Sequence, residues 1–164
     1  MPDDQEHIED SVITDEMRAH LEVESEPVVY DVERGAVARF AEAIGDPNPV
    51  YTDEKAARHS SYGGLTAPPT FLRALIAGPH SEEFPEPFPN VLDGGSEYRF
   101  YEPVRVGDRI TVTRALVDLF EKDGKLGRML FKVYETRYTN HLGELAATQR
   151  TTTISYATPE SQEE

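Results

Sequence analysis

From Ser96 onward the chain loses any helical period and reads as a succession of strands. Residues 96–101, 109–120, 126–139 and 144–156 are rich in β-branched and aromatic side chains, and Asp123-Gly124 and residues 140–143 carry the turn chemistry of hairpins. Strands that follow one another through tight turns pair antiparallel, and one face of their sheet needs an apolar cover. One upstream segment offers it. Between Pro68-Pro69, suited to a helix start, and Gly78-Pro79, suited to its end, Phe71, Leu72, Ala74, Leu75, Ile76 and Ala77 leave Arg73 as the only charge. Apolar nearly all round, this segment predicts a buried helix. The expected architecture is α+β, with an antiparallel sheet of about five strands wrapped around one long central helix. Its exposed edges invite pairing with a second copy or a homologous chain.

The upstream elements are shorter. Thr14-Asp15-Glu16 reads as a capped helix entry, and residues 28–30 read as a brief strand. A second helix follows, marked by Val37, Phe40, Ala41 and Ile44 at helical spacing and stopped by Gly45. Asp46-Pro47-Asn48-Pro49 cannot continue a helix, because each proline lacks an N–H and restricts the residue before it. That makes a rigid turn displaying two short polar side chains. Thr52-Asp53-Glu54 opens another short helix, Tyr62-Gly63-Gly64 breaks it, and Gly94-Gly95 reads as a strand-edge bulge or a close approach to a partner.

Charge separates the body of the chain from its ends. Of 31 acidic and 16 basic side chains in 164 residues, 12 acids and one base fall in residues 1–33, and three acids and no base in residues 157–164. Between Arg34 and Tyr156 the balance is 16 acids to 15 bases. Residues 1–11 and 157–164 are therefore expected to be acidic, disordered tails flanking a single domain over residues 12–156. A formal charge of −15 disfavours an electrostatic grip on nucleic acid. The absence of cysteine removes disulfides, thiolate metal sites and thiol nucleophiles, and the five histidines fall in different elements without metal-ligand spacing. No metal or other cofactor is expected. With no signal-peptide pattern and no apolar run of spanning length, the expected location is the cytoplasm, away from membranes.

Three motifs in order carry a family resemblance. They are Phe40-Ala41-Glu42-Ala43-Ile44-Gly45-Asp46-Pro47-Asn48-Pro49, Tyr62-Gly63-Gly64-Leu65-Thr66-Ala67-Pro68-Pro69-Thr70-Phe71, and Tyr101-Glu102-Pro103-Val104-Arg105-Val106-Gly107-Asp108-Arg109-Ile110-Thr111. The chain resembles MaoC-like (R)-specific enoyl-CoA hydratases/dehydratases, and most of all their N-terminal, fatty-acid-synthase-type dehydratase domain. The resemblance implies a hot-dog fold in which paired domains join into a double hot-dog. It also implies a substrate: trans-2-enoyl or (R)-3-hydroxyacyl thioesters of coenzyme A or acyl carrier protein.

Catalytic members resemble one another in a turn reading Asp-x-Asn-Pro-x-His, in which aspartate and histidine activate water. Here Asp46, Asn48 and Pro49 match, but Tyr51 stands at the histidine position. A phenol with pKa near about 10 is protonated at neutral pH, whereas imidazole near about 6.5 can take and return a proton. Catalytic members also place a His-Gly pair at the start of the central helix, whose backbone N–H polarises the thioester carbonyl. The matching stretch is Pro68-Pro69, and proline has no N–H to give. Losing an acid/base costs roughly 10²- to 10⁴-fold, and losing an oxyanion donor roughly 10²- to 10³-fold.

The resemblance thus implies the substrate-binding, non-catalytic half of a hydratase/dehydratase, completed by a catalytic hot-dog subunit. Asp46 and Asn48 are the residues of the degenerate catalytic turn, and their role as simple turn caps stays open. Tyr51, Tyr62, Gly63, Gly64, Pro69 and Thr70 are the candidate substrate-binding residues. Other readings are a self-sufficient homodimeric hydratase using Asp46, an acyl-CoA-binding module, and a hot-dog thioesterase.

Overall fold

The computed structural model describes residues 11–157. The expected tails fall outside the described residues apart from Ser11 and Ala157, and Ala157 is buried. Five strands, β1 (Val28–Asp31), β2 (Asn90–Phe100), β3 (Arg109–Gly124), β4 (Gly127–Thr139) and β5 (Leu145–Tyr156), form one sheet in the order β1-β3-β4-β5-β2. Every pairing is antiparallel. The curled antiparallel sheet with few helices is the expected hot-dog architecture.

Local chemistry explains most boundaries. Helix α1 (Asp15–Ala19) starts where the Thr14 side chain accepts from the Met17 amide. Helix α2 (Arg34–Ala43) buries Val37 and Ala41, half-buries Phe40, and ends before Gly45, whose φ of 69° suits glycine. Helix α3 (Glu54–His59) is capped by Asp53, which accepts from the Lys55 and Ala56 amides. Strand β2 begins at Asn90, upstream of the expected start, because residues 90–93 also pair with β5, beyond a bulge between Asp93 and Ser96. That bulge falls on Gly94-Gly95, as the sequence implied, with Gly95 at φ 104°. Strand β3 runs through Asp123-Gly124, so the hairpin tip is Lys125-Leu126 and not the Asp-Gly pair.

The long central helix is not formed. Pro69–Ala74 is a 3-10 helix of six residues, and Leu75 turns extended at φ −97° and ψ 100°. Phe71, Leu72 and Leu75 are buried, but Arg73 is exposed and Ile76 is 71% exposed. Tertiary hydrogen bonds draw the backbone away from helical pairing. The Tyr30 hydroxyl donates to the Ile76 carbonyl at 2.8 Å, and the Glu26 amide donates to the Pro79 carbonyl at 2.9 Å. Gly78 passes so close to Glu26 that a Cβ would collide with its carbonyl oxygen.

The main core lies between the sheet's inner face and α2 with the 3-10 helix. It joins Val32, Val37, Ala41, Phe71, Leu72, Ile110, Val112, Tyr138 and Ala147, and Phe40 meets Phe71 edge-on at 5.5 Å. Full burial of each such side chain stabilises the fold by about 1.5–3 kcal/mol. A second cluster of Met17, Leu119 and Leu130 packs with Phe84 and Phe88, where α1 and the proline-rich loop cover the sheet. The β3 bulge between Leu116 and Asp118 shifts the alternation so that buried Leu119 follows exposed Asp118.

Candidate functional site

The rigid turn forms as its prolines require. The Asp46 carboxylate accepts from the Asn48 amide at 3.0 Å, and Asn48 accepts from the Val50 amide at 3.2 Å, capping a 3-10 turn over Pro49–Tyr51. That turn drives the Tyr51 ring inward, where 8% of the residue stays exposed. Burial, then the Asp46 charge and hydrogen bond, hold the Tyr51 phenol above its usual pKa.

Backbone bonds carry this turn to distant residues. The Thr66 amide donates to the Val50 carbonyl at 3.1 Å, and the Ala67 amide donates to the Val104 carbonyl at 2.8 Å. Residues 65–67 therefore stitch the turn to the segment after β2. Between them opens a cleft of about 250 Å³, walled by Asn48, Val50, Tyr51, Tyr62, Thr66, Pro68, Pro69, Leu72 and residues 100–104. The two prolines stand at the cleft wall with no N–H to offer.

Of the expected site residues, Asn48, Tyr51, Tyr62 and Pro69 meet in this cleft. Asp46 is not part of the lining, although its charge acts on Tyr51. Gly63 takes a left-handed φ of 71°, while Gly63, Gly64 and exposed Thr70 lie outside the lining. The wall formed by Phe100, Tyr101, Glu102, Pro103 and Val104 was not among the candidates, although its Tyr101-to-Thr111 motif was the available signal. Arg105 sits near the cleft, its Nε donating to the Tyr62 carbonyl at 3.4 Å. Arg99 pairs with Glu97 and Arg109 with Asp31.

The antiparallel sheet and the Asp-x-Asn-Pro turn at the cleft are the arrangement that the resemblance to hot-dog dehydratases implies. The comparisons agree. Residues 19–149 match the FAS1-like dehydratase domain region, and the chain belongs to that family of MaoC-like hot-dog dehydratases. A UPF0336 protein of Streptomyces avermitilis is 40% identical over 92 residues, 53% of this chain and 61% of that one. The match thus spans about three fifths of that relative. A probable enoyl-CoA hydratase alpha subunit of Thermomonospora curvata is 30% identical over 132 residues, 70% of this chain and 41% of that one. Among solved structures, the ChsH1-ChsH2 complex from Mycobacterium tuberculosis aligns with a TM-score of 0.73 at 19% identity, covering 89% of this chain and 96% of that one. The MaoC-like dehydratase from Rhodospirillum rubrum aligns with a TM-score of 0.65 at 23% identity, covering 84% and 91%.

Proposed function

We propose that this chain is the substrate-binding half of an (R)-specific enoyl thioester hydratase or 3-hydroxyacyl thioester dehydratase, acting in the cytoplasm with a separate catalytic MaoC-like subunit. One observation carries the reading: the cleft has a buried tyrosine, its phenol raised by burial and by the Asp46 charge, where water activation calls for a proton-shuttling imidazole. The phenol is held protonated, and the Asp46 carboxylate accepts from the Asn48 amide within its own turn. The prolines at the helix start remove the oxyanion donor as well. What remains is a half-apolar slot that can hold the pantetheine arm and acyl chain of a coenzyme A or acyl-carrier-protein thioester.

Strand β2 supplies the means of pairing. It hydrogen-bonds β5 on one side, and the sheet ends there, with Val91, Leu92 and Phe100 each more than 40% exposed. Such an apolar edge is a template for another sheet. Similar proteins include an enoyl-CoA hydratase alpha subunit, the ChsH1-ChsH2 complex and the HadBC 3R-hydroxyacyl-ACP dehydratase complex of Mycobacterium tuberculosis, which supports a partnered assembly.

The test is to purify the chain alone and together with candidate catalytic subunits carrying Asp-x-Asn-Pro-x-His, and to assay hydration of an enoyl-CoA series. The expected result is turnover by the mixed complex and none by the isolated chain. Brisk hydration by the isolated chain would favour the self-sufficient reading and overturn this one.

A further inference from the structure

The short 3-10 helix leaves part of the sheet's inner face without an apolar cover, and the residues there are polar. Arg114 on β3, Thr136 and Tyr138 on β4, and Gln149 and Thr151 on β5 line a cavity of about 230 Å³, closed on the other side by Arg73, Leu75, Ile76, Ala77, Gly78 and His80. The sheet side is pre-organised. The Tyr138 hydroxyl donates to Gln149 Oε1 at 2.9 Å, Gln149 Nε2 donates to Ser96 Oγ at 3.2 Å, and Ser96 Oγ meets Thr151 Oγ1 at 3.1 Å.

Two cations face this cavity, and no carboxylate lines it. Among the described residues neither Arg73 nor Arg114 forms an ion pair. Arg114 is held in place by its stack on the Tyr134 ring, 3.9 Å from the centroid. Both arginines line the cavity beside Tyr138, and both oppose the rise that burial causes in its phenol pKa. His80 Nε2 is buried with no hydrogen-bond partner. The buried, unpartnered His80 nitrogen and the part-buried Arg114 guanidinium are costly to leave without a polar partner, and exposed Arg73 stands at the rim to meet one. Leu75, Ile76 and Ala77 offer an apolar wall for a carbon stem.

We propose that this cavity, between the 3-10 helix and the sheet, is a binding site for a carboxylate on a short carbon chain, gripped by Arg73 and Arg114. Guanidinium forks match carboxylate oxygens in bidentate geometry. A phosphate shares that chemistry but has no use for the apolar wall. The site is separate from the Tyr51 cleft and stands or falls without any hydration activity. The carboxylate comes either on a free small acid or on the far end of an acyl thioester, and only the second source rests on the hydratase reading.

The experiment is calorimetric titration of the full chain with glutarate, glutaramide and inorganic phosphate at low salt. Glutarate is expected to bind with 1:1 stoichiometry and to lose about tenfold or more in affinity in Arg73→Gln and in Arg114→Gln, while glutaramide does not bind. Should loss of the Tyr134 stack unfold Arg114→Gln, exposed Arg73→Gln carries the measurement. No glutarate binding, equal binding of glutaramide or of phosphate, or affinity indifferent to the folded variants overturns the site. Glutaryl-CoA and butyryl-CoA then separate the sources. An arginine-dependent preference for glutaryl-CoA assigns the carboxylate to an acyl chain, and its absence beside glutarate binding assigns it to a free acid.

Discussion

The Tyr51 phenol and the Asp46 carboxylate, five residues apart on one proline-stiffened turn, are near enough that the carboxylate adds to burial in raising the phenol's pKa. On the proposed function the pair shapes the turn and does not relay protons. Tyr51→Phe keeps the buried ring and should cost no more than about 1 kcal/mol of stability, the usual net worth of a single hydrogen bond, and leave turnover of the partnered complex nearly unchanged. Denaturant titration and enoyl-CoA kinetics of the complex measure both. A loss of turnover beyond about 10²-fold, the scale of a missing acid/base, would assign Tyr51 to the chemistry instead.

Asp46→Asn separates the readings further. The amide keeps an acceptor oxygen for the Asn48 N–H, so the turn survives and a complex whose chemistry lies in the partner keeps its rate. Abolished hydration in an otherwise folded complex would restore Asp46 as a catalytic residue.

Lys132 gives a pH signature. Its ammonium is buried on β4 beside Glu86 and over the Phe84 ring, and burial depresses its pKa to about 8, although the Glu86 carboxylate favours the charge. A depressed pKa means that the unfolded chain binds the proton more tightly. Stability from this group is then present at high pH and is lost as pH falls through about 8. Compared with Lys132→Met, the wild type should gain in Tm between pH 8 and pH 10. The raised tyrosines are common to both proteins and cancel in the difference. A constant gap across that range would contradict the burial argument.

Gly78 tests why the central helix is short. A methyl group there would strike the Glu26 carbonyl, so Gly78→Ala should destabilise the fold by about 1–3 kcal/mol, the cost of overpacking, although alanine is the better helix former. Thermal or denaturant melts read the sign. A stabilised variant would mean that the segment relaxes into a longer helix.

The free edge predicts an assembly phenotype. Val91→Lys and Phe100→Lys place charges on exposed β2 positions and should weaken association with a catalytic subunit while leaving the isolated chain folded. Light scattering of the mixed proteins checks this, and an undiminished complex would move the interface elsewhere.

The sequence by itself determined what depends on single residues and near neighbours. The strands of the C-terminal half follow from their composition and turns. The Asp46-to-Tyr51 turn follows from two prolines, the Gly94-Gly95 bulge from paired glycines, and the missing imidazole and N–H from side-chain identity at Tyr51 and Pro68-Pro69. Tertiary structure decided the rest. The apolar segment after Pro69 has the composition of a helix, yet Tyr30 and Glu26, more than 40 residues away, claim the carbonyls of Ile76 and Pro79. The cleft likewise exists because Thr66 and Ala67 bond to Val50 and Val104, and the polar cavity because a curled sheet sets Arg114 opposite Arg73. Such long-range hydrogen bonds leave no periodic mark on the chain, which is why a local reading expected a longer helix and the folded molecule has a cavity in its place.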